Sequence, residues 1–161
     1  MIDKRKFYIN GSWIDPIVKN DFEVINPSNE KSYAVISLGS KKDVDLAVDA
    51  AKNAFFTWSQ VNKKEKIILL ENLLKIYKSR WDEITQTMSE EMGAPLDWSS
   101  SAQTASGADH INDFILRLKN FEFETKFNNQ SNNYIVYEPI GVCGLITPWN
   151  WPINQITLKV I

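Results

Sequence analysis

The sequence predicts an α/β chain: short strands come first, helices follow, and the first strand–loop–helix of a doubly wound parallel sheet comes last. Three observations predict it. Residues 6–38 carry period-two patterns around the turn dipeptide Asn10-Gly11. Residues 43–120 place apolar side chains at spacings of three and four. The uninterrupted apolar run 141–146 is followed by a proline-bounded loop and a short helix.

Each element follows in order. Lys6-Phe-Tyr-Ile and Ser12-Trp-Ile flank Asn10-Gly11 as a hairpin. Phe22-Glu-Val-Ile-Asn26 alternates and stops at Pro27, and Tyr33-Ala-Val-Ile-Ser-Leu38 closes at Gly39, which completes a small meander. Ser40 with Asp43 has the form of a capping box, and Val44, Ala47, Val48, Ala51 and Phe55 then line one helix face. Asn62 and Glu65 repeat the cap, and Ile67, Leu70, Leu74, Tyr77, Trp81, Ile84 and Met88 form a second stripe with a break near Ser79-Arg80. Gly93 is the stop and Pro95 the restart. A helix over 96–120 is weakened by Ser99, Ser100, Ser101 and Gly107.

At Phe121 the period changes to two. Phe121, Phe123 and Phe127 alternate with Glu122, Glu124 and Lys126, a polar turn occupies 128–133, and Tyr134-Ile-Val-Tyr137 returns. This is a hairpin of about seven residues per arm, too thin to stand alone. The pattern leaves open whether it packs on its own domain or on another subunit. The run 141–146 reads as a strand buried on both faces, Thr147-Pro-Trp-Asn-Trp-Pro152 as a stiff loop, and 153–161 as the start of a helix. Such a strand needs parallel neighbours that the sequence does not otherwise supply, and the last helix has no stop signal. The expectation is therefore the front portion of a longer protein, the alternative being that this strand and helix dock onto the helices before them.

Composition narrows the function. The 161 residues carry 18 Lys and Arg against 20 Asp and Glu, a net charge of -2, unlike a basic nucleic-acid binder. No apolar run has the length of a bilayer span, and the N-terminus lacks a secretory pattern. A globule of 18.5 kDa is expected to bury roughly 69% of its extended-chain surface. One cysteine, Cys143, excludes an internal disulfide and fits a reducing compartment. One histidine, His110, argues against a histidine-based metal cluster.

Cys143, among Gly141, Val142, Gly144 and Leu145, lacks the cationic neighbours of a reactive thiol and reads as a core cysteine. His110 reads as a surface or half-buried helix residue, and Glu90 and Glu91 as solvated charges on different faces. Gly141-x-x-Gly144 lies within the strand and is not a dinucleotide fingerprint. The loop 147–150 sits beyond a strand's carboxyl end, where open α/β sheets bind ligands. Asn150 has an uncharged NH2 suited to holding an oxyanion, or alternatively to capping the next helix. Lys159 lies one turn beyond Gln155 on the same helix side, and its plain reading is an ordinary surface lysine.

The stretch Glu138-Pro-Ile-Gly-Val through Ile146-Thr-Pro-Trp-Asn-Trp-Pro152, with Gln155 and Lys159, resembles the aldehyde dehydrogenase superfamily. Phe7-Tyr-Ile-Asn-Gly-Ser-Trp13, Val24-Ile-Asn-Pro27, the helix 44–58 and Glu91-Met-Gly-Ala-Pro95 agree in order and spacing, so the resemblance spans essentially the whole chain. Family members usually have Phe or Tyr where Trp151 stands. The resemblance implies that 1–120 holds the N-terminal strands and helices of the cofactor-binding domain. It makes 121–138 an oligomerisation arm and 139–161 the opening of the NAD-binding sheet. Ile146, Thr147, Pro148, Trp149 and Asn150 would line NAD, or NADP. Asn150 would be the oxyanion-hole amide, and Lys159 part of a proton path. The implied activity is NAD-dependent oxidation of a small-molecule aldehyde to a carboxylic acid by a cytoplasmic homo-oligomer. The nucleophilic cysteine and the water-activating glutamate lie beyond Ile161 in the family, and Cys143 does not match the nucleophile. The 161-residue chain alone is therefore expected to be inactive. Two alternatives stand beside this: an inactive oligomerisation fragment, and part of a relative that acylates coenzyme A.

Overall fold

The computed structural model describes residues 1–128 and 132–161; Asn129, Gln130 and Ser131, assigned above to a polar turn, lie outside the described residues. β2 (Phe7–Ile9) and β3 (Ser12–Ile14) form the expected hairpin, with Tyr8 opposite Trp13. Asn10 and Gly11 take φ of 52° and 76°, the left-handed pair that a two-residue turn matched to strand twist requires. β4 (Asp21–Asn26) and β5 (Lys31–Ser37) pair antiparallel, with a bulge between Val24 and Ile25.

The meander is not one sheet. β1 (Ile2–Lys4) pairs parallel with β5 on the edge opposite β4, which leaves β2–β3 as a separate ribbon. β1 is three exposed residues, too short to carry a pattern.

Ser40 and Asp43 start α1 (Lys41–Trp58). The Asp43 carboxylate accepts from the Ser40 N–H at 2.8 Å, the Ser40 hydroxyl at 2.6 Å and the Ile17 N–H at 2.8 Å. These bonds, that from Ile17 foremost, hold its carboxyl below the ordinary range. The predicted α1 face is only partly covered: Val48, Ala51 and Phe55 are half-buried, and Val44 is 56% exposed.

Asn62 caps α2 (Lys63–Ser79) by accepting from the Glu65 N–H at 3.0 Å. Arg80 separates α2 from α3 (Trp81–Met92), and Gly93 ends α3 at φ 77°. A Cβ on Gly93 would lie 2.7 Å from Pro27 Cγ, so the missing side chain also lets α3 sit against the β4–β5 turn.

Residues 96–120 are helical but not one α-helix. A turn of α4 (Leu96–Trp98) passes into a π-helical segment, Ser99–Thr104, and then α5 (Ala105–Asn120). The three serines explain the change. Ser99 donates to Thr85 O at 3.1 Å, Trp81 Nε1 donates to Ser100 Oγ at 3.0 Å, and Ser101 donates to Asp97 O at 2.7 Å. The widened turn aims Ser99, Gln103 and Thr104 at buried positions, and Thr104 shares a hydroxyl contact of 2.8 Å with Thr85.

The core forms where α2, α3 and α5 meet. Tyr77, Ala108, Ile111 and Ile115 are its buried centre, flanked by Ile67, Leu70, Leu74, Trp81 and Ile84 of the second predicted stripe. Tyr77 donates to Thr104 O at 2.8 Å, and burial pushes its phenol up to about 12.

The hairpin is present but shorter than expected. β6 (Glu124–Lys126) and β7 (Tyr134–Val136) pair over three residues each. Bonds from Phe127 N–H to Asn133 O at 2.9 Å and from Tyr137 N–H to Phe123 O at 2.8 Å lengthen it. Every ladder residue is exposed.

The predicted buried strand over 141–146 is not formed. The segment is irregular, with Val142 42%, Leu145 49% and Ile146 88% exposed. A ladder needs a neighbour, and among the described residues none flanks it. Cys143 is correspondingly exposed rather than in the core, its Sγ 3.7 Å from Gly141 O.

Candidate functional site

The candidate residues lie at the entry to α6 (Pro152–Val160). Pro152 at the first helical positions supplies the fixed φ a helix start uses and lacks an N–H that would need a partner. Trp151 occupies the cap position without a side-chain cap bond, and its ring meets Trp98 edge-on at 5.0 Å. The aromatic pair anchors the loop to α4 while the residues before it face outward. Ile146 and Trp149 are 88% and 78% exposed, and Thr147, Pro148 and Asn150 are exposed too.

Asn150 does not take the capping role. Among the described residues its amide makes no hydrogen bond, so both N–H groups are available to a ligand oxygen.

α6 is held by its other face. Ile153 and Ile161 pack on the core cluster. Ile153 reaches α5 beside Gly107, where a Cβ would collide with the Tyr77 hydroxyl and lie 3.2 Å from Ile153 Cγ1. The sequence reads Gly107 as a defect in a helix; the structure makes it the contact point of α2, α5 and α6.

Lys159 is half-buried, and its Nζ donates to Gln155 Oε1 at 2.5 Å, the neighbour expected one turn back. Gln155 Nε2 lies 3.4 Å from Asn154 Oδ1, and Asn154 Nδ2 lies 2.8 Å from His110 Nε2 on α5. Asn154 and His110 carried no functional signal in the sequence, because the pairing joins positions 44 residues apart.

The structure therefore keeps 146–150 together on one open loop and ties Lys159 into a polar row on α6. No cluster of three His, Cys, Asp or Glu side chains is placed to hold a metal among the described residues. No helix among them is long and apolar enough to cross a membrane. A groove of about 810 Å³ lies elsewhere, on the N-terminal strands, lined by Lys4, Arg5, Trp13, Asp21 and Ser37. Arg5 there bridges Asp3 at 2.6 Å and Asp21 at 3.1 Å, so its charge is already paired.

The model of the aldehyde dehydrogenase family matches residues 13–161. A 3-succinoylsemialdehyde-pyridine dehydrogenase of a Pseudomonas species is 45% identical over 161 residues, 99% of this chain and 33% of that protein. The crystal structure of an aldehyde dehydrogenase from Bartonella henselae superposes with a TM-score of 0.97 at 50% identity, over 99% of this chain and 34% of the other. A mutant aldehyde dehydrogenase C from Pseudomonas syringae, complexed with NAD+ and octanal, gives 0.93 at 38% identity, over 97% of this chain and 32% of that one. The chain thus spans about a third of the length of the relatives it matches.

Proposed function

The chain belongs to the aldehyde dehydrogenase family, and from that premise we propose that it serves NAD+-dependent oxidation of an aldehyde to a carboxylic acid, supplying part of the cofactor cleft and the oxyanion donor. The observation that carries this reading is Asn150: an exposed amide on a proline-stiffened loop, not used as the helix cap. When a nucleophile adds to an aldehyde, the carbonyl oxygen becomes an oxyanion. A preorganised neutral N–H stabilises that charge without competing as a base. Fixing the loop by Pro148, Pro152 and the Trp98–Trp151 contact meets the orientation cost before substrate arrives.

The residues present fit one wall of a nicotinamide cofactor site. Ile146 and Trp149 offer exposed apolar faces to ring systems, and the irregular backbone around Thr147 and Pro148 is not committed to a ladder. Bound there, the cofactor would accept the hydride lost from the aldehyde carbon. Lys159, half-buried and aligned by Gln155, would hold or pass a proton along α6. NAD+ is favoured over NADP+ by the complex of the Pseudomonas syringae relative. A single unpaired cysteine supports a cytoplasmic location. The exposed hairpin supports homo-oligomer formation, and for the 161-residue chain taken alone it favours an inactive interaction fragment.

The test is to sequence the gene beyond codon 161, weigh the native protein, and assay NAD+ reduction with octanal. A longer native protein should reduce NAD+, and Asn150→Ala should lower its kcat by about 10²–10³. A native mass of 18.5 kDa, or an unchanged kcat in the variant, overturns the enzymatic role of the chain.

A further inference from the structure

His110 is the chain's one histidine, half-buried on α5 and outside the loop that carries Asn150. Its Nε2 faces the amide nitrogen of Asn154 at 2.8 Å. An amide nitrogen donates and does not accept, so with this pairing Nε2 is the acceptor and the ring N–H is on Nδ1. Asn154 Oδ1 is then turned toward Gln155 Nε2 at 3.4 Å, and Gln155 Oε1 toward Lys159 Nζ at 2.5 Å. The last bond is the strong one, because its donor is charged.

The three contacts run in one direction, from ammonium through two amides to imidazole. That direction is not arbitrary. An ammonium only donates, so Gln155 must present oxygen to Lys159 and nitrogen to Asn154. Asn154 must then present oxygen to Gln155 and nitrogen to His110. The row closes only on an acceptor, and His110 Nε2 is that acceptor. With the proton on Nε2 instead, Asn154 would have to turn over and present its NH2 to the Gln155 NH2, and the row would break at its middle. Hydrogen bonds linked in one sense also polarise one another.

We propose that His110 is a positioning residue: through Asn154 and Gln155 it sets which way the amide row runs, and so where the Lys159 ammonium is held. The proposal rests on the functional reading only for what Lys159 does. The row itself is a property of α5 and α6.

The experiment is nitrogen NMR on the 161-residue chain, needing neither aldehyde nor NAD+. In the unmodified chain, His110 should show Nε2 as the unprotonated nitrogen and Nδ1 as the protonated one. In His110→Phe, which removes the acceptor, the Lys159 Nζ signal should move toward that of Lys52, which is exposed and makes no ion pair among the described residues. In His110→Gln, which returns an acceptor oxygen, the Lys159 signal should move back. Far-UV circular dichroism confirms that each variant is folded, and the tautomer of the unmodified chain decides the row's direction even if a variant is not. A proton on Nε2, or a Lys159 signal that ignores His110→Phe, overturns the proposal. Loss of the Asn150 effect on kcat with this pattern intact would overturn the functional reading alone.

Discussion

Gly107 shows how a residue that looks like a weakness becomes a requirement. In an exposed helix, replacing glycine with alanine gains about 1 kcal/mol. At this position the added Cβ would collide with the Tyr77 hydroxyl and lie 2.9 Å from its Cζ. Tyr77 is not free to swing away, since it is 6% exposed and bonded to Thr104 O. Overpacking of this kind costs about 1–3 kcal/mol. Set against the helix gain, Gly107→Ala is therefore expected to destabilise by up to about 2 kcal/mol, read as a lower urea midpoint at unchanged slope; a raised midpoint would place Tyr77 elsewhere. Asp43 makes a second prediction at this scale. Its carboxyl titrates below its ordinary value of 3.8 when folded, so its contribution is complete above that pH and disappears as pH falls through the lower folded value. Urea midpoints of the unmodified chain and Asp43→Asn should differ by a constant amount between about pH 7 and 5, and converge below about pH 4. A gap that widens on acidification would reverse the sign and refute the assignment.

Elements were legible where their signals are local. The Asn10-Gly11 turn, the Ser40–Asp43 and Asn62–Glu65 caps and the Gly93 stop depend on neighbours a few residues away, and each stands where the pattern put it. The π-segment was not legible, because it answers to Thr85 and Trp81 on another helix. The parallel partner of β5 was missed for the same reason, since β1 is 32 positions distant in register. The run 141–146 failed differently: its apolar pattern specifies burial, but a strand also needs neighbours, and pattern alone cannot supply them. The Asn150 loop was legible from its prolines and its place before a helix, whereas the row from Lys159 to His110 needed α5 and α6 side by side. The hairpin's period-two alternation gave its existence but not its length. Its Phe127 and Tyr134, 63% and 51% exposed, are the side chains a second subunit would cover. If the arm docks on another copy, Phe127→Asp with Tyr134→Asp should lower the mass measured by light scattering and leave the helical circular dichroism unchanged; an unchanged mass would detach the arm from assembly.

The whole molecule exposes more surface than its mass warrants. A compact globule of this size has about 8,200 Å² of accessible surface, whereas this chain has 11728 Å². Burial is about 56% of the extended-chain surface rather than the roughly 69% expected from mass. The surplus of about 3,500 Å² on this one chain exceeds the share of one partner in most obligate interfaces, about 1,000–2,500 Å² where the two sides together bury about 2,000–5,000 Å². Large apolar side chains contribute to it, among them Ile140 at 93% exposed, Ile146 at 88%, Trp149 at 78% and Val160 at 63%. Apolar surface on that scale is favoured to leave water, at about 25 cal/mol per Å², and the available cover is more polypeptide. The purified 161-residue chain should therefore bind a hydrophobic dye such as ANS and associate as its concentration rises. The two effects should be linked, since association removes the sites the dye uses, so dye bound per chain should fall as light-scattering mass increases. A monomer that stays monomeric at high concentration and does not brighten the dye would mean that the strands and helices close over one another more tightly in solution. Residues 146–150 would then be covered, and the open loop on which Asn150 depends would be lost with them.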